Sequence, residues 1–132
     1  MIVNYLQDVI YSFHNYKKLA EKAFAQTSDE EFFRAIDAEA NSIAVIAKHI
    51  GGNLRSRWTD FLTTDGEKPD RHRDSEFVTD NDTRESLLAF WESGWNALFV
   101  TLESLTPEDL AKTVKIRDED YGKLKKKANC FS

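Results

Sequence analysis

The sequence predicts an all-α protein, an up-down helical bundle of three long helices with shorter ones between them. Apolar residues recur every three or four positions through three long segments, which places them along one face of a helix. The alternation typical of strands is confined to TVKIR, residues 113–117. A chain of 132 residues has the usual length of one domain, and 41% hydrophobic residues supply material for a core.

Each predicted segment is bounded by a change in the residue pattern. No proline interrupts the three apolar stripes, whereas Gly66, Pro69 and the charged residues around them predict a long surface loop. After Val114 no long apolar stripe follows. The whole chain, 1–132, is therefore predicted to be a single domain with, in order, a helix over 1–25, a helix over 39–63, a crossover loop over 64–82, a helix over 82–105 and an irregular tail over 114–132.

Two capping motifs add detail to this prediction. Ser28 and Glu31 have the spacing of a capping box, in which each side chain bonds the backbone N–H of the other residue. They predict a short helix over 29–36. Asp82 and Glu85 predict a similar reciprocal cap at the start of the third long helix.

The overall charge and the single cysteine narrow the function classes. A net charge of -5 argues against a nucleic-acid-binding protein and gives no reason to expect attraction to an anionic membrane. No stretch approaches the roughly eighteen consecutive apolar residues of a membrane-spanning helix. Because Cys130 is the only cysteine, a disulfide scaffold is excluded, and a cytoplasmic protein is predicted.

His49 lies in an unusual stretch, AKHIGGNLRSRW, at the margin of the apolar face of the second long helix. Gly51 and Gly52 follow it, although glycine inside a helix costs about 1 kcal/mol relative to alanine. One interpretation is a structural histidine beside a close helix crossing. The other is a metal ligand directed into the bundle, with the glycines leaving room for a facing helix, a loop or a substrate.

The sequence alone shows no complete set of metal ligands. It contains no H-x-x-x-H, no H-E-x-x-H and no pair of cysteines. Arg55 and Arg57 lie close in sequence to several aspartates and to a second arginine cluster, DRHRD. They belong either to a charge-balanced surface network or to a site for a substrate carboxylate or phosphate. Glu92 is either an exposed glutamate or, if it faces inward, an acid, a base or a ligand.

Two stretches of the chain resemble a known superfamily. NSIAVIAKHIGGNLRSRWTDFLTTDGEKPDRHRDSEF, 41–77, and FWESGWNALFVTLESLTPEDLAKTVKIR, 90–117, resemble the DinB-like superfamily, in the branch of bacterial proteins of unknown function similar to YfiT-like metal-dependent hydrolases. The resemblance implies a four-helix bundle with a long crossover between its second and third helices. It also implies a divalent metal, zinc or nickel, bound by one histidine of the second long helix, matched by His49, and by an H-x-x-x-H pair of the fourth.

The chain departs from the superfamily pattern after Arg117. It continues as DEDYGKLKKKANCFS, so the fourth long helix and two of the three histidine ligands have no counterpart. A frame slip at the codons for Lys125 to Lys127 is a hypothesis for this altered end. We expect His49 alone to bind metal poorly, since zinc takes three or four protein ligands. An apolar groove left without its fourth helix predicts a homodimer.

Two function classes follow from the resemblance. The first is a metal-dependent enzyme, either a transferase similar to thiol transferases or a hydrolase, that acts on a small-molecule thiol or electrophile. The candidate contacts for the substrate are Arg55, Arg57 and Glu92. The alternative is a non-catalytic helical bundle that acts through dimerisation or protein association. Neither class is expected to bind nucleic acid or a membrane.

Overall fold

The computed structural model describes the backbone of residues 2–117 and 119–122 and the side chains of residues 5–117. The predicted all-α bundle is confirmed, because three long helices pack around a common core. No helix of the described residues has both the length and the apolar character needed to cross a membrane. The elements are α1 (Ile2–Ala25), α2 (Asp29–Phe33), α3 (Ile43–Trp58), a 3-10 helix (Arg73–Phe77), α4 (Arg84–Ser104), a second 3-10 helix (Pro107–Ala111), β1 (Thr113–Ile116) and β2 (Glu119–Gly122).

The short helix α2 begins as the sequence predicts and ends earlier. The Ser28 hydroxyl accepts a bond from the Glu31 backbone N–H at 3.1 Å, and the Glu31 carboxylate accepts one from the Ser28 N–H at 3.0 Å. The bond from the Ser28 backbone N–H to the carboxylate is the largest cause that lowers the pKa of Glu31, and an interaction with the Ser28 side chain lowers it further. The helix ends at Phe33 rather than at 36 because Arg34 has an extended backbone conformation.

Helix α3 is shorter than the predicted 39–63 at both ends. Before it, the Asp37 carboxylate accepts bonds from two following backbone N–H groups at 2.9 Å, and this local turn competes with a helix. Ser42 then caps α3 through its hydroxyl, which accepts from the Val45 N–H at 3.1 Å. The helix ends at Trp58 because Thr59 has an extended backbone conformation, and Asp60 then turns the chain with a left-handed φ of 48°.

The cap of α4 differs from the predicted pair of Asp82 and Glu85. Thr83 and Ser86 form the reciprocal bonds, at 3.0 Å and 2.9 Å, so α4 begins at Arg84. Asp82 instead pairs with Lys48 of α3 at 2.7 Å. A hydroxyl pair one residue later caps the backbone N–H groups of Thr83 and Ser86 and leaves Asp82 for this tertiary contact.

Helix α4 carries the centre of the core. Trp91 and Trp95 are both buried, and the Trp91 indole N–H donates to the Glu21 carboxylate of α1 at 3.1 Å. Two phenylalanines of α1 meet these rings edge-on, Phe24 against Trp91 at 5.0 Å and Phe13 against Trp95 at 6.2 Å between ring centroids. The aromatic contacts therefore set the position of α1 on α4.

Helices α3 and α4 cross where two glycines meet. A Cβ atom added at Gly94 would lie 2.8 Å from the carbonyl oxygen of Gly51 and 3.0 Å from its Cα. Farther along the pair, the Thr101 hydroxyl donates to the carbonyl of Trp58 at 2.7 Å. The two backbones can approach this closely because neither crossing residue has a side chain.

A β-hairpin replaces part of the predicted irregular tail, 114–132. Strands β1 and β2 pair antiparallel, with Thr113 opposite Gly122 and Ile116 opposite Glu119. Val114 and Ile116 are buried, so the alternation noted in TVKIR reflects a half-buried strand. Residues 118 and 123–132, including Lys125 to Lys127 and Cys130, lie outside the described residues. The predicted irregularity is therefore wrong for the two strands.

Replacement Gly94→Ala tests the helix crossing. Overpacking against backbone atoms costs about 1–3 kcal/mol, which we expect to exceed the gain in helix propensity of about 1 kcal/mol. The free energy of unfolding, measured by urea titration, should fall. Asn96→Ala, at an exposed position of the same helix, is the control and should leave the free energy of unfolding unchanged or raise it slightly. An equally stable Gly94→Ala variant would show that the crossing is not tight.

Candidate functional site

The environment of His49 is built by the segment between α3 and α4, residues 59–83, which we name the crossover segment. His49 is one-third exposed on α3, and its Nδ1–H donates to the Glu76 Oε1 atom at 3.0 Å. Glu76 belongs to the 3-10 helix of the crossover segment and is 4% exposed. The ring of Phe77 lies 6.0 Å from the imidazole. A buried carboxylate thus fixes the orientation of the histidine.

Glu76 is in turn bound by Arg71. The Arg71 Nε and Nη2 groups donate to the two carboxylate oxygens, each at 3.1 Å. Both side chains are almost completely buried, at 4% and 5% exposure. A two-bond arginine–carboxylate pair has a defined geometry, and its charges are poorly screened when water is excluded.

The charged contacts continue beyond this pair to the other end of the crossover segment. The Glu67 Oε2 atom lies 2.8 Å from Arg57 Nη1, 3.5 Å from Arg71 Nη1 and 3.8 Å from Arg117 Nε. Arg57 is buried and also donates to the carbonyl of Gly66 at 2.9 Å. Positively and negatively charged side chains therefore alternate in a series of ion pairs that runs from α3 through the crossover segment to the hairpin.

The two glycines after His49 have separate roles. A Cβ atom at Gly51 would lie 2.8 Å from the ring of Phe90, so this glycine serves the crossing with α4. A Cβ atom at Gly52 would overlap the Glu76 Oε2 atom. The two interpretations that the sequence left open apply to different residues: Gly51 permits a close helix crossing, and Gly52 leaves room for the carboxylate that orients His49.

A cleft of about 460 Å³ lies next to the Arg71–Glu76 pair. Its walls come from α3, from the crossover segment and from Phe90 of α4. The lining includes four residues with positive charge, Lys48, Arg55, Lys68 and Arg71, and three carboxylates, Asp60, Asp70 and Glu76. The cleft thus has more positive than negative side chains although the chain carries a net charge of -5.

The structure separates the three residues that the sequence singled out as substrate contacts. Arg55 lines the cleft, with its guanidinium 5.1 Å from the centroid of the Phe90 ring. Arg57 is buried within the series of ion pairs described above and is not among the residues that line the cleft. Glu92 is 61% exposed and pairs with Lys17 of α1 at 2.9 Å. Although burial acts to lower the pKa of Lys17, its hydrogen bonds to carboxylates, including Glu92, raise it.

Lys68 and Glu76 are functional candidates that sequence reasoning missed. The Lys68 ammonium donates to the carbonyls of Ser56 at 2.7 Å and of Asp65 at 2.5 Å, and burial lowers the pKa of Lys68. Neither residue stands in a periodic pattern, since both belong to the crossover segment. The one signal was Gly52, whose missing side chain implied that another group approaches α3 at this point.

The described residues form no complete metal site. They contain no group of three or more histidine, cysteine, aspartate or glutamate side chains arranged to hold an ion. The Glu76 oxygens are already bonded to Arg71 and His49. His14 is exposed and stacks on Phe99 at 3.8 Å, far along α1, and His72 lines the cleft. Within this part of the chain, His49 is therefore an oriented imidazole that belongs to no cluster of metal-binding side chains.

Comparison with known proteins places the chain in a family. A search of curated proteins and a search of solved structures give no match. The model of one protein family, described as "Protein of unknown function (DUF1572)", matches residues 1–126. Since this match covers nearly the whole chain of 132 residues, the protein belongs to the DUF1572 family of proteins of unknown function.

Proposed function

We propose that this protein is a DinB-like, metal-dependent transferase or hydrolase in which His49 is one ligand of a divalent ion, zinc or nickel. The observation that carries the proposal is the hydrogen bond from His49 Nδ1–H to Glu76 at 3.0 Å. A histidine that binds metal through one ring nitrogen usually donates its other N–H to a carboxylate or a carbonyl. Here the carboxylate is itself held by Arg71.

This hydrogen bond selects the ring nitrogen that remains for a ligand. An ionised carboxylate only accepts hydrogen bonds, so Nδ1 carries the proton and Nε2 of the neutral ring keeps its lone pair. Within the described residues Nε2 makes no hydrogen bond, and the side chain is 33% exposed. The imidazole is therefore oriented before any ion binds, which reduces the entropy lost on binding.

The remaining ligands would come from a second copy of the chain, since two of the three histidines of the superfamily pattern have no counterpart in this one. The substrate class that fits the resemblance is a small thiol or a small electrophile attacked by a thiol or by water, in the cytoplasm of a bacterium. The described residues give one candidate ligand and no complete ion site.

Metal titration of the untagged protein tests the role of His49. We expect calorimetry to show saturable but weak binding of zinc or nickel, because one imidazole supplies only one of the three or four ligands that the ion takes. His49→Ala should weaken this binding at least about tenfold further. His14→Ala and His72→Ala are matched controls that should bind as the wild type does. Equal affinity in the His49→Ala variant would contradict the proposal, as would the absence of saturable binding.

A second candidate function, association through a helix face, is favoured by the surface of α1. Tyr5, Tyr16 and Leu19 are 39%, 62% and 65% exposed. The two tyrosines are eleven residues apart, about three helical turns, and Leu19 follows Tyr16 by three residues. The three side chains therefore form an exposed apolar stripe beside the buried face of α1, which suits a symmetric homodimer.

Light scattering at micromolar concentration tests this second candidate. We expect a mass near twice the 15.2 kDa of one chain, because pairing of two stripes would bury them. Leu19→Lys should shift the protein toward the monomer. Tyr11→Lys replaces another exposed apolar residue of α1, 69% exposed and off the stripe, and should leave the mass unchanged. A wild-type monomer that binds little hydrophobic dye would reject the dimer.

A further inference from the structure

The cleft beside Glu76 has the size of a small-molecule site. Its volume of about 460 Å³ falls within the range of roughly 300–1,000 Å³ that ligand pockets occupy. It is lined by Gly52, which has no side chain, by the aromatic ring of Phe90 and by the hydroxyls of Thr59, Thr64 and Ser75. A surface that combines an aromatic wall with hydroxyls and charges suits a small polar molecule.

Two of the four positive side chains of the cleft are neutralised by the protein itself. Lys48 donates to the Asp82 carboxylate and to the Val78 carbonyl, each at 2.7 Å. Arg71 is bonded to Glu76 through both carboxylate oxygens. These two positive charges therefore have partners and contribute little to the attraction of a ligand.

The other two, Arg55 and Lys68, have no carboxylate within 4.0 Å among the described residues. The Arg55 guanidinium lies over the Phe90 ring, and its side chain makes no hydrogen bond to that part of the chain. The Lys68 ammonium has three N–H groups, of which two donate to backbone carbonyls. Both groups line the cleft with donors to spare.

The positions of Arg55 and Lys68 are linked through the chain. Lys68 Nζ lies 2.7 Å from the carbonyl oxygen of Ser56, the residue next to Arg55. Burial disfavours the charged form of Lys68 and lowers its pKa. An anion that entered the cleft would offset this cost, since the attraction of opposite charges grows as water is excluded.

The carboxylates of the cleft restrict which anion fits. Asp60 and Asp70 line it, and their negative charges act on Lys68. They would repel a ligand of high negative charge, such as a phosphate dianion, and they would accept hydrogen bonds from a hydroxyl or an amino group. The combination favours a single negative charge accompanied by a hydrogen-bond donor.

We propose that the cleft binds a small carboxylic acid that carries a hydroxyl or amino group, with its carboxylate on Arg55 and Lys68. The donor group of the ligand faces Asp60 and Asp70. This inference goes beyond the metal-site proposal and does not depend on an ion at His49, since His49 is not among the lining residues.

Lactate is the probe, titrated into metal-free protein at constant ionic strength and followed by NMR of the backbone amides. We expect saturable shifts among amides of the cleft residues and weaker binding of propionate, which lacks the hydroxyl. Inorganic phosphate should bind more weakly than lactate by about tenfold, because the cleft carboxylates repel it. Absence of saturable binding by lactate would overturn the proposal, as would tighter binding of phosphate.

Variants locate the site within the cleft. Arg55→Gln and Lys68→Gln should each weaken lactate binding about tenfold or more, since each removes a charge-assisted hydrogen bond. Arg34→Gln removes an equal charge from an exposed residue that pairs with Glu30, and it should change the affinity less than twofold. Because lactate is titrated into metal-free protein, failure of the metal-site proposal is distinguished from failure of this one. Arg55 is exposed, so a folded Arg55→Gln variant with unchanged affinity would reject the assignment.

Discussion

The buried ion pair of Arg71 and Glu76 is the constraint on which the site depends. Removal of two charges from water is costly, and the cost is recovered only if their geometry and hydrogen bonds are complete. Here the pair has two hydrogen bonds of 3.1 Å and lies against Gly52, where no side chain interferes. The pair fixes the Glu76 carboxylate within the crossover segment, and the hydrogen bond of this carboxylate with His49 joins the 3-10 helix to α3.

The same constraint explains how a long connection forms a defined surface. Segments of this length without regular structure are uncommon in compact domains. The crossover segment is attached to α3 at one end by the hydrogen bond between His49 and Glu76 and at the other by the bonds of Ser56 and Arg57 to the Gly66 carbonyl, at 2.5 Å and 2.9 Å. The cleft lies along this attachment, so its shape depends on polar contacts rather than on apolar packing.

The sequence predicts what depends on local pattern and misses what depends on distant pairing. Periodicity gives the three long helices, and the Ser28–Glu31 spacing gives the cap of α2. His49 stood out from the sequence, but its partner Glu76 lies 27 residues away in a segment without periodicity. Arg55 and Arg57 could not be told apart by composition, because only the turn of α3 directs one to the cleft and buries the other.

A double-mutant cycle on Arg71 and Glu76, measured by urea unfolding, tests this account most directly. Arg71→Met and Glu76→Gln should each lower the free energy of unfolding by about 3–5 kcal/mol, because each leaves a buried group without its partner. Together they should cost at least about 2 kcal/mol less than the sum of the single changes. The exposed pair of Arg34 and Glu30 serves as the control, with a coupling expected below about 1 kcal/mol. Additive effects at Arg71 and Glu76, within about 0.5 kcal/mol, would contradict the account.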